Sequence, residues 1–136
     1  MNIQIERKND SVYFVAKNEH GNEVHIDGSP AIGGEDKGAR PMELILMSVG
    51  SCAAIDVVSI LKKQKQDLQD LKIEVKGERV DEIPAVFKDI KVVFHAFGNL
   101  DEEKVKRAVD LSFNKYCSVS KMLKPTVNMT FEYKIN

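Results

Sequence analysis

The sequence has little of several residue types that mark specialised classes of protein. Among 136 residues it has no tryptophan, four prolines, three histidines and two cysteines. Twenty basic and 21 acidic residues leave a formal charge of −1, so there is no basic excess to bind nucleic acid. His20, His25 and His95 lack the spacing of metal ligands. These scarcities argue against a nucleic-acid-binding protein and a histidine-based metal site. The 43% hydrophobic and 30% charged residues are ordinary for a soluble globular domain.

The two cysteines also limit the reactions that the protein could catalyse. Residues 1–10 alternate polar and apolar side chains and lack the apolar core of a signal peptide, so we expect a cytoplasmic protein. In that compartment Cys52 and Cys117 are expected to be thiols with redox or catalytic work. The alternative is that both are buried and pack as small hydrophobic residues.

One long apolar run, residues 41–64, predicts a single central helix. Pro41 suits the first helical position, and two lysines at the far end suit the negative pole of the helix dipole. Between Leu44 and Leu61 apolar residues occupy every side of the helical wheel, and Asp56 is the only charge. Such a helix must be buried all round. The run approaches the length of a membrane span, but its serines and the polar remainder of the chain favour a core helix without membrane contact.

The remaining patterns predict one α+β domain over residues 1–136. Alternating apolar residues over 1–27 predict a β-meander, followed by an unpatterned loop. Residues 71–136 predict a β-β-α-α-β half, with a polar exit from the central helix before it and Asp101 capping an amphipathic helix. We expect antiparallel sheets with the helices on one face. One sheet covers one side of the central helix, so we expect a homodimer in which this helix packs against its partner's copy.

Two motifs around the cysteines carry a resemblance to a known family. The first is Pro41-x-Glu43-Leu44 followed by Gly50-Ser51-Cys52, and the second is Tyr116-Cys117-Ser118-Val119-Ser120. Both resemble signatures of the OsmC/Ohr superfamily of osmotically inducible and organic hydroperoxide resistance proteins. The expected order of strands and helices fits as well. The segments around Arg40 and after Cys52 most resemble the YhfA-like branch of this superfamily.

The resemblance implies an intertwined homodimer with an active site at the subunit boundary. It implies reduction of organic hydroperoxides by Cys52 as the peroxidatic thiol and Cys117 as the resolving thiol. Cys117 would condense with oxidised Cys52 to a disulfide, which a cellular dithiol reduces. No cofactor, metal, nucleic acid or membrane is implied.

The chain departs from the family pattern at Met42. Active hydroperoxide reductases have a glutamate at this position, paired with an arginine that contacts the peroxidatic cysteine. The nearest carboxylate here is Glu43, which could serve by holding an arginine. Arg40 is the first candidate for the activating cation, with Arg7 and Arg79 as weaker alternatives.

Two further alternatives stay open. Asp56 lies one helical turn after Cys52, where it is either a site residue or a paired acid of the core. Met42 also favours a second function, in which a non-catalytic protein binds a small apolar ligand at the dimer interface. In that case the cysteines would line the pocket or sense redox state.

Overall fold

A computed structural model describes residues 1–136, which contain six strands, three α-helices and two short helical turns. In chain order they are β1 Gln4–Arg7, β2 Phe14–Lys17, β3 Glu23–Ile26, a 3-10 turn Pro30–Ile32, α1 Pro41–Lys63, β4 Asp67–Arg79, β5 Phe87–Asn99, α2 Glu102–Leu111, a π-turn Ser112–Tyr116, α3 Ser118–Leu123 and β6 Asn128–Ile135. Two compact units share these elements, residues 1–45 and residues 46–136.

The N-terminal unit contains the expected meander, in which β1, β2 and β3 pair antiparallel in that order. The loop after β3 closes around Asp27, which is 1% exposed. Its carboxylate accepts N–H bonds from Gly28 at 2.8 Å, Glu35 at 3.0 Å and Lys37 at 3.1 Å. A Cβ on Gly34 would lie 1.8 Å from the Gly28 carbonyl oxygen, so only glycine fits this crossing. The unpatterned loop is therefore an ordered structure built on one carboxylate.

Both ends of α1 are capped by local hydrogen bonds. The Glu43 carboxylate accepts the backbone N–H of Arg40 at 3.1 Å, which is one half of a capping box. At the far end Lys65 adopts a left-handed conformation with φ 54°. Gln66 donates to the Leu61 carbonyl at 3.0 Å and Lys65 donates to the Lys62 carbonyl at 3.0 Å. This is a Schellman ending, and it turns the chain directly into β4.

The C-terminal sheet corrects two predictions. Its order is β4-β5-β6, with β4 antiparallel and β6 parallel to β5, so the sheet is not antiparallel throughout. The segment from α2 to α3 crosses back along β5, and such a crossover connects parallel strands. Strand β4 also begins at Asp67, within the predicted polar exit. An irregularity between Leu68 and Asp70 breaks the period-two alternation there, which hid the strand from the pattern.

The helices of this unit lie on one face of the sheet. A Cβ on Gly50 of α1 would lie 2.7 Å from the Val75 side chain of β4, so the helix lies very close to the strand. Phe113 of the π-turn packs edge-on against Phe94 and stacks on Phe131, with ring centroids 6.3 Å and 4.6 Å apart. The opposite face carries ion pairs such as Lys91–Glu132 at 2.6 Å. This arrangement agrees with the expected segregation of helices to one side.

Helix α1 is buried along one side only within the chain. Its buried residues are Val49, Gly50, Ala53, Val57 and Leu61. On the opposite side the chain exposes an apolar stripe of Met47 (53%), Ile55 (69%) and Val58 (44%). The expected all-round burial is therefore not provided by the chain itself. By length and composition alone, α1 is also the one helix that could cross a membrane.

We predict that Asp27→Asn destabilises the protein and changes its response to acid. The N–H bond of Glu35, followed by those of Lys37 and Gly28, holds the pKa of Asp27 below its ordinary value. A carboxyl whose pKa is lower in the folded than in the unfolded protein stabilises the folded state at pH values above its unfolded pKa. This stabilisation is lost as the pH falls through the pKa of the folded state. In Asp27→Asn one carboxylate oxygen is replaced by an NH₂ group, which is a donor and cannot accept the backbone N–H bonds that this oxygen accepted.

Thermal unfolding across pH measures this effect. The melting temperature of Asp27→Asn should lie below the wild-type value near neutral pH, and the difference should shrink in acid. Asp10→Asn removes an exposed carboxylate from the same unit and should leave the curve unchanged. A difference between wild type and Asp27→Asn that is constant with pH would contradict the assignment.

Candidate thiol site

Cys52 and Asp56 share one face of α1. They are four residues apart, which places their side chains one above the other on a helix. Both are half-buried, whereas their neighbour Ala53 is fully buried against the sheet side. The helix thus presents a thiol and a carboxylate together at the edge of the packed core.

Cys117 is positioned by the end of α2. Asp101 caps this helix by accepting the Lys104 N–H at 3.1 Å, and the helix widens into the π-turn at Ser112. The turn closes with the Cys117 N–H donating to the Ser112 carbonyl at 2.8 Å. Cys117 then caps α3, where its Sγ accepts the Ser120 N–H at 3.4 Å. The residue is 2% exposed.

Ser112 links the end of α2 to α1, and the sequence analysis missed this role. Its side chain is fully buried, and its hydroxyl lies 3.2 Å from the Ala53 carbonyl oxygen and 3.3 Å from Asp56 Oδ2. The residue directly follows the amphipathic helix α2. No local motif could reveal a contact with residues 56 and 59 positions away.

The fold brings three of the predicted site residues together. The Sγ atoms of Cys52 and Cys117 and a carboxylate oxygen of Asp56 all lie within 4.8 Å of one another. The thiols are free in this structure. Two thiols at this separation can form a disulfide after side-chain rotation and a small backbone movement, since the bond length is about 2.05 Å. The same three groups are also of the kinds that bind transition metals.

The electrostatic environment of Cys52 opposes ionisation. Burial raises the pKa of the Cys52 thiol above its ordinary value, and both Cys117 and the charge of Asp56 raise this pKa further. The backbone N–H of Val119, in the first turn of α3, bonds to the sulfur and lowers its pKa. Cys52 is therefore held mainly as a thiol, with one N–H donor in place to stabilise the thiolate.

Arg40 and Glu43 have their own partners within the N-terminal unit. The Arg40 guanidinium lies 3.3 Å from Asp36 Oδ1 and 3.3 Å from the Gly38 carbonyl oxygen. Glu43 accepts the backbone N–H of Arg40 rather than its side chain. Their predicted supporting roles remain predictions.

The two weaker candidates for the activating cation also bond locally. Arg7 donates to the Ser11 carbonyl at 2.7 Å, and Arg79 donates to the Ala85 carbonyl at 2.6 Å.

A cavity of about 330 Å³ adjoins the carboxylate of this site. It is lined by Asp56, Ser59, Ile60, Lys63, Gln64, Leu111 and Tyr116. Leu111 and Ile60 give the cavity apolar walls. Its charged groups are the Lys63 ammonium and the Asp56 carboxylate. A larger open depression of about 590 Å³ follows the charged face of α2 and includes neither Asp56 nor a cysteine in its lining. The smaller cavity is therefore the one that belongs with the thiol site.

Comparison with known proteins identifies the family of this chain. Residues 34–132 match the family model described as OsmC-like protein. Protein YhfA of Escherichia coli K12 is 42% identical over 123 residues, which cover 90% of this chain and 89% of YhfA.

Solved structures share the fold over nearly the full chain. A hypothetical protein from Aquifex aeolicus VF5 superposes with a TM-score of 0.87 at 36% identity, covering 99% of this chain and 95% of that one. The organic hydroperoxide resistance protein OhrB of Bacillus subtilis superposes with a TM-score of 0.69 at 18% identity, covering 98% of each chain. At that identity OhrB shows a common fold alone. The family match and the identity to YhfA together show that this chain belongs to the OsmC-like family.

Proposed function

We propose that this protein is a cytoplasmic thiol-dependent peroxidase that reduces organic hydroperoxides. The observation that carries the proposal is the approach of the Cys52 and Cys117 sulfurs within 4.8 Å. A peroxidatic thiol needs a second thiol within reach, because its sulfenic acid must be resolved before it is oxidised further. The fold shared with OhrB, a protein named for organic hydroperoxide resistance, supports the substrate class.

The proposed cycle has three steps. The Cys52 thiolate attacks the outer oxygen of the hydroperoxide, the O–O bond breaks, and an alcohol leaves after taking up a proton. Cys52 is then a sulfenic acid, and the Cys117 thiol condenses with it to form a disulfide and water. A dithiol reduces the disulfide by exchange and returns both cysteines to thiols.

The assignment of the two roles rests on access. Cys52 is half-buried on the face of α1, whereas Cys117 is almost fully enclosed. A substrate reaches Cys52 more readily, and the Val119 N–H is in place to bond its thiolate. The apolar walls of the adjoining cavity, Ile60 and Leu111, favour an alkyl or acyl hydroperoxide over hydrogen peroxide.

The proposal includes a homodimer built on α1. Met47, Ile55 and Val58 expose an apolar stripe on the side of α1 that faces away from its own sheet. A second copy of the same helix would cover this stripe through a two-fold contact.

A second candidate function is binding of a small apolar ligand without turnover. The cavity beside Asp56 and the methionine at position 42 favour it. In this case the cysteines would line the site or report redox state. Co-purification of an apolar ligand by native mass spectrometry, with no consumption of hydroperoxide, would decide for this candidate.

We predict that Cys52→Ser reduces cumene hydroperoxide consumption to the uncatalysed rate, with dithiothreitol as reductant. Without reductant, Cys117→Ser should consume one equivalent of hydroperoxide and accumulate a sulfenic acid on Cys52, seen as one added oxygen in the intact mass; dithiothreitol is left out here because it would reduce that acid. Serine keeps an oxygen acceptor at the start of α3, so the second variant should fold. Met122→Ser removes an exposed sulfur outside the site and should keep wild-type activity. Equal turnover by wild type and Cys52→Ser would refute the proposed chemistry.

We predict that Asp56→Asn makes Cys52 more reactive at neutral pH. The negative charge of Asp56 contributes to the raised pKa of Cys52, so its removal enlarges the thiolate fraction. The pH profile of Cys52 alkylation by iodoacetamide, measured in a Cys117→Ser background, should shift to lower pH. Asp110→Asn, on α2, is the matched control and should not shift it. A shift to higher pH would mean that Asp56 does not act on the thiol through its charge.

We predict a dimer with twice the 15.3 kDa chain mass in sedimentation at micromolar concentration. Ile55→Glu places a charge in the apolar stripe and should yield monomers, because an unpaired charge in a dry interface is costly. Ile83→Glu makes the same change at a fully exposed turn and should leave the dimer intact. Monomeric wild-type protein would remove the dimer from the proposal.

A further inference from the structure

Asp56 has no part in the proposed peroxidase cycle, although it lies against both thiols. The cycle needs two sulfurs and a thiolate, and a carboxylate within 4.8 Å of both sulfurs works against thiolate formation. The Asp56 carboxylate is also half-buried and is held by the hydroxyl of Ser112 at 3.3 Å. A carboxylate that lies within 4.8 Å of two thiols forms an arrangement that a bound cation would stabilise.

The three groups match the preferences of one class of metal ion. Thiolate ligands select soft or borderline ions, and Zn²⁺ binds cysteine sulfur and carboxylate oxygen in tetrahedral geometry. Tetrahedral Zn–S and Zn–O bonds place neighbouring ligand atoms about 3.6–3.8 Å apart. The ligand atoms here lie within 4.8 Å of one another, so a contraction of about 1 Å at most brings them to this spacing.

The surrounding hydrogen bonds already orient two of the three ligands. The Ser112 hydroxyl lies 3.3 Å from Asp56 Oδ2, and the Ser120 N–H donates to Cys117 Sγ at 3.4 Å. Outer-shell bonds of this kind fix the direction of metal ligands and increase affinity. Two ligands come from α1 and the third from the start of α3, so the metal would join elements that are far apart in sequence.

We propose that Cys52, Cys117 and Asp56 bind one Zn²⁺ ion, with a water molecule in the fourth position. Binding forms two Zn–S bonds and one Zn–O bond and releases the two thiol protons, with no change of oxidation state. The metal-bound sulfurs are unavailable for attack on a hydroperoxide and for disulfide formation. Zinc therefore holds the thiol pair in a reduced, protected state. This site does not depend on the peroxidase function.

Cobalt substitution tests the site directly. Tag-free, fully reduced protein is titrated with Co²⁺ without oxygen or hydroperoxide, and absorption is recorded. We expect one Co²⁺ per chain, a thiolate-to-cobalt charge-transfer band in the near ultraviolet and strong tetrahedral d–d bands. One equivalent of Zn²⁺ should abolish all of these bands.

Variants identify the ligands. Cys52→Ser and Cys117→Ser should each lose most of the charge-transfer intensity, and Asp56→Asn should weaken Co²⁺ binding by more than about tenfold. Ser112→Ala should weaken it by about tenfold through the loss of orientation. Asp110→Asn on α2 should bind as wild type does. Circular dichroism of each variant identifies any that fail to fold, and the wild-type spectrum decides the proposal in that event.

The outcomes separate this proposal from the proposed function. Weak octahedral cobalt bands without charge transfer in the wild type, or unchanged affinity in folded Asp56→Asn, would overturn the metal site. Peroxidase activity is measured separately with a chelator present. Cobalt binding without turnover would contradict the peroxidase alone, and turnover without cobalt binding would contradict the metal site alone.

Discussion

The contacts of the Ser112 hydroxyl are the constraint on which the thiol site depends. Cys52 and Cys117 are 65 residues apart, so only tertiary packing brings them together. Ser112 is fully buried and lies within hydrogen-bond distance of the Ala53 carbonyl and of Asp56. Both groups belong to the same helix as Cys52, and the closing hydrogen bond of the π-turn runs from Cys117 to Ser112. The position of one sulfur relative to the other thus depends on this buried side chain together with the Val119 N–H bond to Cys52.

In the C-terminal unit the helices pack on one face of the sheet, and this leaves one side of α1 without cover from its own chain. Gly50 lets α1 approach β4 closely, and Phe113 fills the space between the π-turn and the sheet. The reverse face of the sheet carries ion pairs such as Lys91–Glu132. Helix α1 keeps an apolar stripe, including Ile55, on the side away from the sheet. Cys52, at the edge of this helix, therefore lies between the core of its own chain and the partner that would cover the apolar stripe.

Local signals in the sequence predicted most of the elements, because they depend on near neighbours. Alternation revealed the meander and β6, the apolar run revealed α1, and the cap at Asp101 revealed α2. The parallel direction of β6 was not predicted, since side-chain alternation is the same in either direction. The start of β4 was missed because its irregularity at Leu68 interrupts the alternation. The meeting of Cys52 with Cys117 was expected from family resemblance, whereas the contacts of Ser112 had no local signal.

The position of Asp56 sets the chemistry that remains open to the thiols. Burial and this carboxylate both hold the pKa of Cys52 above its ordinary value, and a single N–H from Val119 opposes them. A nucleophilic cysteine therefore needs a nearby positive charge, and Arg40, the first candidate for it, pairs with Asp36. A side chain from a partner or a bound cation would each provide it, and the two have opposite consequences. A neighbouring guanidinium lowers the pKa and leaves the sulfur free to attack, whereas a metal ion ionises the sulfur and occupies it. A carboxylate within 4.8 Å of both sulfurs completes a set of metal-binding groups, so the proposed zinc site and the proposed peroxidase would use the same two cysteines.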